Sequence, residues 1–204
     1  MNGFFSRSAV REDRFTIVCF GDSITNGYGV RRPWRQVMAR QLAEQRPDLP
    51  LRVINSGVDG DTLFGGRHRL RRDVLRYRPQ ITTIAFGLND LAMGAPLAEF
   101  RDNLEKVVAA LVEIACQPVL LTTVRPAGDW FFSGSPEDYN RQMLAVAERR
   151  RLPLLDLWRE WPALEDPYEF FLADGVHPSE AGHAFIGRRT AAFLAPLLPA
   201  PDAS

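Results

Sequence analysis

Three residues, one near the start of the chain and two near its end, have the chemistry of a nucleophile and its base. Ser23 closes the segment Gly21-Asp22-Ser23 after a buried apolar run, and a serine hydroxyl needs a neighbouring base before it can attack a carbonyl. His177 stands directly before Pro178, at the entrance of the last predicted helix. Asp174, three residues earlier, is placed to accept the Nδ1–H of His177 and fix its tautomer. Taken alone, Gly21-Asp22-Ser23 could also be a turn with an N-cap serine, and Asp-x-x-His is a weak signal. Together with the other loops at strand ends, Ser23, Asp174 and His177 are candidates for a nucleophile, its orienting carboxylate and its base.

The other two histidines of the sequence fit a catalytic role less well. His68 lies within the arginine-rich segment 67–78, where a solvent-exposed helix face is the expected setting. His183 is the fifth residue of the last predicted helix, and we expect it either to pack or to face solvent. His177 is therefore the predicted general base.

Acyl transfer also needs hydrogen-bond donors aimed at the oxyanion that develops on the carbonyl. Gly60 offers a main-chain N–H and Asn89 a side-chain amide, and neither group changes charge during the reaction. Taken alone, Gly60 could equally be a turn glycine and Asn89 a cap or turn residue. The carboxylates of Asp22, Asp61 and Asp90 are expected to brace the loops that carry these donors.

The pattern of apolar runs predicts an α/β fold. Short runs typical of buried strands cover residues 15–20, 51–54, 81–86, 119–124 and 152–157. Longer stretches with helical spacing cover residues 34–45, 62–77, 97–115, 136–150 and 179–197. This alternation predicts a parallel sheet with helices on both faces, whose functional sites lie at the carboxyl ends of the strands. The candidate residues lie in loops that meet at this rim, and the absence of a Gly-x-Ser-x-Gly segment argues against the α/β-hydrolase architecture.

Composition excludes several classes of protein. The length of 204 residues predicts one domain, with a core of about residues 14–198. The chain has no net charge, so its charge gives no indication that it binds nucleic acid or an anionic membrane. Two cysteines do not make a disulfide framework in a chain of this length. No apolar run approaches the ~20 residues of a membrane-spanning helix, and residues 1–14 lack the apolar region of a secretory signal. We expect a cytoplasmic protein without stable membrane insertion.

Together these segments resemble the SGNH, or GDSL, hydrolase superfamily. Its marker positions are a serine in Gly-Asp-Ser, a glycine in the second block, an asparagine in Gly-x-Asn-Asp and a histidine in Asp-x-x-His. They fall here on Ser23, Gly60, Asn89 and His177, with Asp174 as the third member of the triad. The blocks occur in family order and span nearly the whole chain. Among the branches, the chain is most similar to bacterial thioesterase/lysophospholipase-like esterases.

The resemblance implies a fold and an oxyanion hole. The fold is a flavodoxin-like, three-layer α/β/α sandwich with a parallel five-stranded sheet in the order 2-1-3-4-5. The oxyanion hole would consist of the N–H groups of Ser23 and Gly60 and the amide of Asn89. Gly60 is preferred to Gly57 because Gly60-Asp61-Thr62 resembles the oxyanion loop of the family. The implied chemistry uses no cofactor and no metal.

The acyl-binding residues are predicted only from their position. Trp130 and Phe131 lie in the loop 126–135, where they would either form a wall of the acyl pocket or cover the core. Phe171 lies in the segment that leads into Asp174 and is a further candidate for lining the pocket.

Three functions remain open at this point. The first is a serine esterase that hydrolyses a small-molecule carboxylic ester, a thioester or a lysophospholipid through an acyl-enzyme. The second, in the same superfamily, is a carbohydrate O-acetylesterase. The third is a non-enzymatic, anion-binding flavodoxin-like module, for which the six arginines of residues 67–78 are the best argument. The sequence does not determine the oligomeric state.

Overall fold

A computed structural model describes residues 14–127 and 134–201 of the chain. Its centre is a sheet of five parallel strands in the order β2-β1-β3-β4-β5. The strands are β1 (Phe15–Gly21), β2 (Leu51–Gly57), β3 (Ile81–Ala85), β4 (Gln117–Leu121) and β5 (Leu154–Leu155). This is the predicted order. Because the chain changes direction across the sheet between β2 and β3, a crevice opens beyond the carboxyl ends of β1 and β3.

Eight α-helices surround the sheet in the described part of the chain. They are α1 (Ser23–Asn26), α2 (Trp34–Gln45), α3 (Leu63–Asp73), α4 (Leu88–Ala92), α5 (Leu97–Glu113), α6 (Pro136–Arg150), α7 (Leu157–Glu160) and α8 (Glu180–Leu194). Helices α2 and α8 pack on one face of the sheet, whereas α3, α5 and α6 pack on the other. The molecule is therefore the predicted three-layer α/β/α sandwich.

The apolar run of β1 supplies both core layers, because successive side chains point to opposite faces of a strand. Val18 and Phe20 pack with α3, α5 and α6, whereas Ile17 and Cys19 pack with α2 and α8. A strand buried on both faces needs apolar side chains on both, which explains why this segment is a continuous apolar run. The two cysteines are free and buried, with Cys19 in the α2/α8 layer and Cys116 in the α3/α5/α6 layer.

Several predicted bounds were wrong. The fourth strand runs from Gln117 to Leu121, so residues 122–124 form its carboxyl-terminal loop. The fifth has two residues, because Pro153 has no N–H and Asp156 turns the chain by capping α7. The helix predicted over 62–77 ends at Asp73 and continues as a 3₁₀ turn, and the last helix also changes to 3₁₀ geometry at its end. None of the helices in the described ranges combines the length and hydrophobicity that a membrane span requires.

Candidate active site

Ser23 lies at the carboxyl end of β1 and is the first residue of α1, a helix of one turn that we had predicted as loop. The carboxylate of Asp22 caps this turn by accepting the N–H of Ile24 over 3.0 Å. The Ser23 side chain is therefore held at the strand end, and only 6% of the residue is exposed. Its hydroxyl points towards the loop that precedes α8.

His177 joins Ser23 to Asp174 through two short hydrogen bonds. Its Nε2 lies 2.9 Å from Ser23 Oγ, and its Nδ1 lies 2.7 Å from Asp174 Oδ2. The second oxygen of Asp174 accepts the N–H groups of Val176 and His177, both over 2.9 Å. Because the carboxylate is acceptor-only, His177 carries its proton on Nδ1 and presents the Nε2 lone pair to the serine. The three residues thus have the connectivity of a nucleophile, a base and an orienting acid.

Asp174 is held as a carboxylate by its surroundings. Partial burial raises its pKa, but hydrogen bonds from the main-chain N–H of Val176 and from His177 outweigh burial and bring the pKa below its usual value. The group that fixes the His177 tautomer is therefore ionised at neutral pH.

Gly60 and Asn89 approach the same rim from the ends of β2 and β3. Gly60 adopts a left-handed conformation with φ of 72°, which favours glycine, and its N–H has no protein acceptor within the described ranges. Asn89 is the second residue of α4, a short helix where the sequence pattern predicts a loop. Its Nδ2 donates one hydrogen to the carbonyl oxygen of Asp61 over 3.0 Å, which leaves its second hydrogen for another acceptor.

A cleft of about 130 Å³ opens beside Ser23, Asn89 and His177, and Gly60 is not among its lining residues. Its described lining residues are Asp22, Ser23, Leu88, Asn89, Ala92, Val176 and His177. Phe171 is not among them, because it packs in the α2/α8 core layer with its ring 5.3 Å from that of Trp161. Trp130 and Phe131 lie outside the described residues. Among the described residues, no group of three His, Cys, Asp or Glu side chains is arranged to hold a metal ion.

The other loop carboxylates hydrogen-bond to the backbone around the site. Asp90 accepts the N–H of Leu63 at the start of α3 with both oxygens, over 3.0 and 3.2 Å. Burial raises the pKa of Asp90 to about 6 and that of Asp22 to about 7. Asp61 instead pairs with a guanidinium group, that of Arg69, over 2.6 Å.

Two residues next to the site, Tyr28 and Arg69, were not predicted from the sequence. Tyr28 stacks on His177, and Arg69 lies behind the turn of Gly60 and Asp61 although it belongs to the segment predicted to be solvated. His68 is exposed as expected, whereas His183 takes the packed alternative and is fully buried. A single sequence offers no signal that separates Arg69 from the neighbouring arginines.

Comparisons with known proteins identify the family of this chain. The model of the GDSL-like lipase/acylhydrolase family matches residues 19–185. The chain belongs to this family. Its relatives include an arylesterase of Vibrio mimicus, 25% identical over 94% of each chain, and an acetylxylan esterase of Geobacillus stearothermophilus, 27% identical over 72% of this chain and 73% of the relative.

A solved structure supports the same family assignment. The lipase/acylhydrolase from Enterococcus faecalis superimposes with a TM-score of 0.77 at 27% sequence identity, over 93% of this chain and 99% of that one. With the esterases among its relatives, this GDSL protein is a carboxylic ester hydrolase.

Proposed function

We propose that this GDSL protein is a serine esterase that works through an acyl-enzyme, with Ser23, His177 and Asp174 as its triad. The observation that carries the proposal is the continuous line of hydrogen bonds from Ser23 Oγ through the His177 ring to the carboxylate of Asp174, over 2.9 and 2.7 Å. Such a line activates a hydroxyl that is otherwise a weak nucleophile.

In the first half of the reaction, Ser23 Oγ forms a bond to the ester carbonyl carbon while its proton moves to His177 Nε2. The carbonyl oxygen becomes an oxyanion that faces the N–H groups of Ser23 and Gly60 and the free amide hydrogen of Asn89. The carbon–oxygen bond to the alcohol then breaks, and the departing alkoxide takes the proton from His177 Nε2. The product of this half-reaction is an acyl-Ser23 ester and a free alcohol.

In the second half, water replaces the alcohol. His177 Nε2 accepts a proton as the water oxygen attacks the acyl carbonyl, and the oxyanion forms in the same place. When the bond to Ser23 Oγ breaks, His177 returns the proton to the serine and the carboxylic acid leaves. The ionised Asp174 stabilises the imidazolium in both halves without being protonated itself.

The test compares hydrolysis of p-nitrophenyl esters from acetate to palmitate by the wild type and by Ser23→Ala. We expect the variant to lose measurable turnover while keeping the wild-type Tm. Ser135→Ala is the matched control, because Ser135 only caps α6 by accepting the N–H of Glu137. Ester hydrolysis that survives in Ser23→Ala would contradict the proposal.

A carbohydrate O-acetylesterase is the second candidate for the substrate class. The acetylxylan esterase among the relatives and the small cleft at Ser23 favour it. The chain-length profile separates the two candidates, since a maximum at acetate favours the deacetylase and a maximum at medium chains favours the esterase or thioesterase.

A further inference from the structure

Arg69 carries a guanidinium group that is almost completely enclosed behind the candidate oxyanion hole. Only 9% of its side chain is exposed. Its Nε donates to Asp61 Oδ2 over 2.6 Å, and its Nη2 donates to the carbonyl oxygen of Gly21 over 2.9 Å. Its Nη1 donates to the carbonyl oxygen and the hydroxyl of Ser56, over 2.9 and 3.0 Å. The guanidinium carbon lies 4.7 Å from the centre of the Phe20 ring, so one face of the group is covered as well.

The acceptors of Arg69 belong to the segments that carry the proposed oxyanion donors. Gly21 ends β1 two residues before Ser23, and its carbonyl also accepts the N–H of Val58 over 3.1 Å. Asp61 directly follows Gly60, and its own carbonyl oxygen orients the Asn89 amide. The Arg69 side chain therefore connects the segment that carries Ser23 with the turn that carries Gly60. Through Asp61 it also contacts the residue whose carbonyl oxygen orients the Asn89 amide.

We propose that Arg69 is the positioning residue of the oxyanion hole, an inference that rests on the proposed esterase function. Arg69 does not line the cleft and acts through Asp61: by fixing the Asp61 side chain it fixes the direction of the Asp61 carbonyl, which holds one hydrogen of Asn89 and leaves the other for the oxyanion. A planar guanidinium with five N–H donors suits four acceptor atoms, on Asp61, Gly21 and Ser56, at fixed angles, whereas a lysine ammonium on a flexible stem does not.

Arg69→Lys tests this role because it keeps the charge and removes the planar fork. With p-nitrophenyl acetate we expect kcat to fall by about tenfold or more, since small displacements of catalytic groups cost up to about a hundredfold, while KM changes little. Arg71→Ala is the matched control, because Arg71 is an exposed arginine on the same helix, and it should keep the wild-type kcat. Rates are expressed per serine that an organophosphate can label, so that unfolded protein does not count.

A second variant, Asp61→Asn, keeps the proposal testable if Arg69→Lys does not fold. Asp61→Asn keeps the Asp61 backbone and the side-chain size but removes the nearer of the two carboxylate charges beside the guanidinium, the other being that of Asp73 at 3.6 Å. We expect the same fall in kcat with unchanged KM. Combining either variant with Asn89→Ala separates positioning from general stability. Because Arg69 acts through the asparagine amide, the double variant should lose less than the product of the two single losses.

Two results would overturn this inference while leaving the esterase proposal intact. One is a wild-type kcat per labelled serine in both Arg69→Lys and Asp61→Asn. The other is a fully multiplicative loss in the double variants, which would mean that Arg69 acts independently of Asn89. A wild-type enzyme whose Ser23 is neither labelled nor needed for hydrolysis would instead refute the proposed function itself.

Discussion

The ring of Tyr28 lies against the ring of His177, with centroids 4.4 Å apart and planes tilted by 39°. Tyr28 follows α1, and its N–H donates to the carbonyl oxygen of Ser23 over 3.0 Å, so the stack is tied to the nucleophile turn. The aromatic face covers one side of the proposed base and also attracts the positive charge that appears on the imidazole during the reaction.

Replacing Tyr28 should therefore slow catalysis without abolishing it. We expect Tyr28→Leu to lower kcat about two- to fivefold, the equivalent of a cation–π contact of about 0.5–1 kcal/mol at an exposed site. Tyr28→Phe keeps the aromatic face and should keep the wild-type kcat. Steady-state kinetics on p-nitrophenyl acetate provide the measurement, and equal losses in both variants would show that the hydroxyl, not the ring, is what matters.

The amide of Asn89 should contribute mainly to the transition state. Asn89→Ala should lower kcat by ~10²–10³ with little change in KM, because an oxyanion donor is lost. Asn89→Asp has the same size but puts an acceptor and a negative charge where the oxyanion forms, so it should be slower than the alanine variant. A wild-type kcat for Asn89→Asp would show that Asn89 is not part of the oxyanion hole.

His183 should make the fold sensitive to acid. Its ring is fully buried, its Nδ1 accepts the N–H of Trp34 over 3.2 Å, and burial lowers its pKa from 6.5 to about 4. At a pH between 6.5 and about 4, His183 binds a proton in the unfolded chain but not in the folded chain. The contribution of His183 to the free energy of unfolding should therefore fall by about 3 kcal/mol as pH drops from 6.5 to 4, whereas the raised pKa values of Asp22 and Asp90 act in the opposite direction over this range.

Denaturant unfolding of the wild type and of His183→Gln over this pH range measures the effect. The variant keeps an acceptor but cannot titrate, so the free energy of unfolding of the wild type should fall relative to that of the variant as pH drops from 6.5 to 4. His68→Gln is the control, because His68 is exposed. Parallel curves for wild type and His183→Gln would show that His183 does not titrate differently in the two states.

The contact between α2 and α8 should be intolerant of any added side-chain atom at Gly187. A Cβ there would lie 2.7 Å from the carbonyl oxygen of Trp34 and 2.6 Å from Val37 Cβ. Alanine has the higher helix propensity, yet we expect Gly187→Ala to lower the free energy of unfolding by about 1–3 kcal/mol, as overpacked cores do. The exposed Ala192 on the same helix gives the comparison, since Ala192→Gly should cost about 1 kcal/mol through propensity alone. A Gly187→Ala variant more stable than the wild type would contradict the close packing.

Periodicity was sufficient to predict the sheet and most of the helices. The bounds of α2 and α6 agree with the structure to the residue, because each combines a helical apolar pattern with a clear start and end. The helices α1, α4 and α7 were missed since they have four or five residues, too few for a periodic pattern. Their geometry depends on contacts with distant residues, as when the amide of Asn89 meets the carbonyl of Asp61.

The candidate site was only partly predictable for a similar reason. Ser23 and His177 follow from residue type and position at strand and helix ends, and the structure brings them together. Arg69 differs from Arg71 and Arg72 only in the direction in which its side chain faces on α3, since the other two side chains are exposed. That direction depends on how the helix is rotated against β1 and β2, which composition and charge do not reveal.

Each core layer contains one buried cysteine, so the reactivity of the two thiols can report on the unfolding of each layer. Burial raises the pKa of the Cys19 thiol to about 12 and that of Cys116 to about 11, so neither is a thiolate at neutral pH. An alkylating reagent reaches each sulfur only when its own layer opens. Mass spectrometry of the two labelled peptides would therefore time the opening of each side of the sheet separately, without an added probe or a mutation.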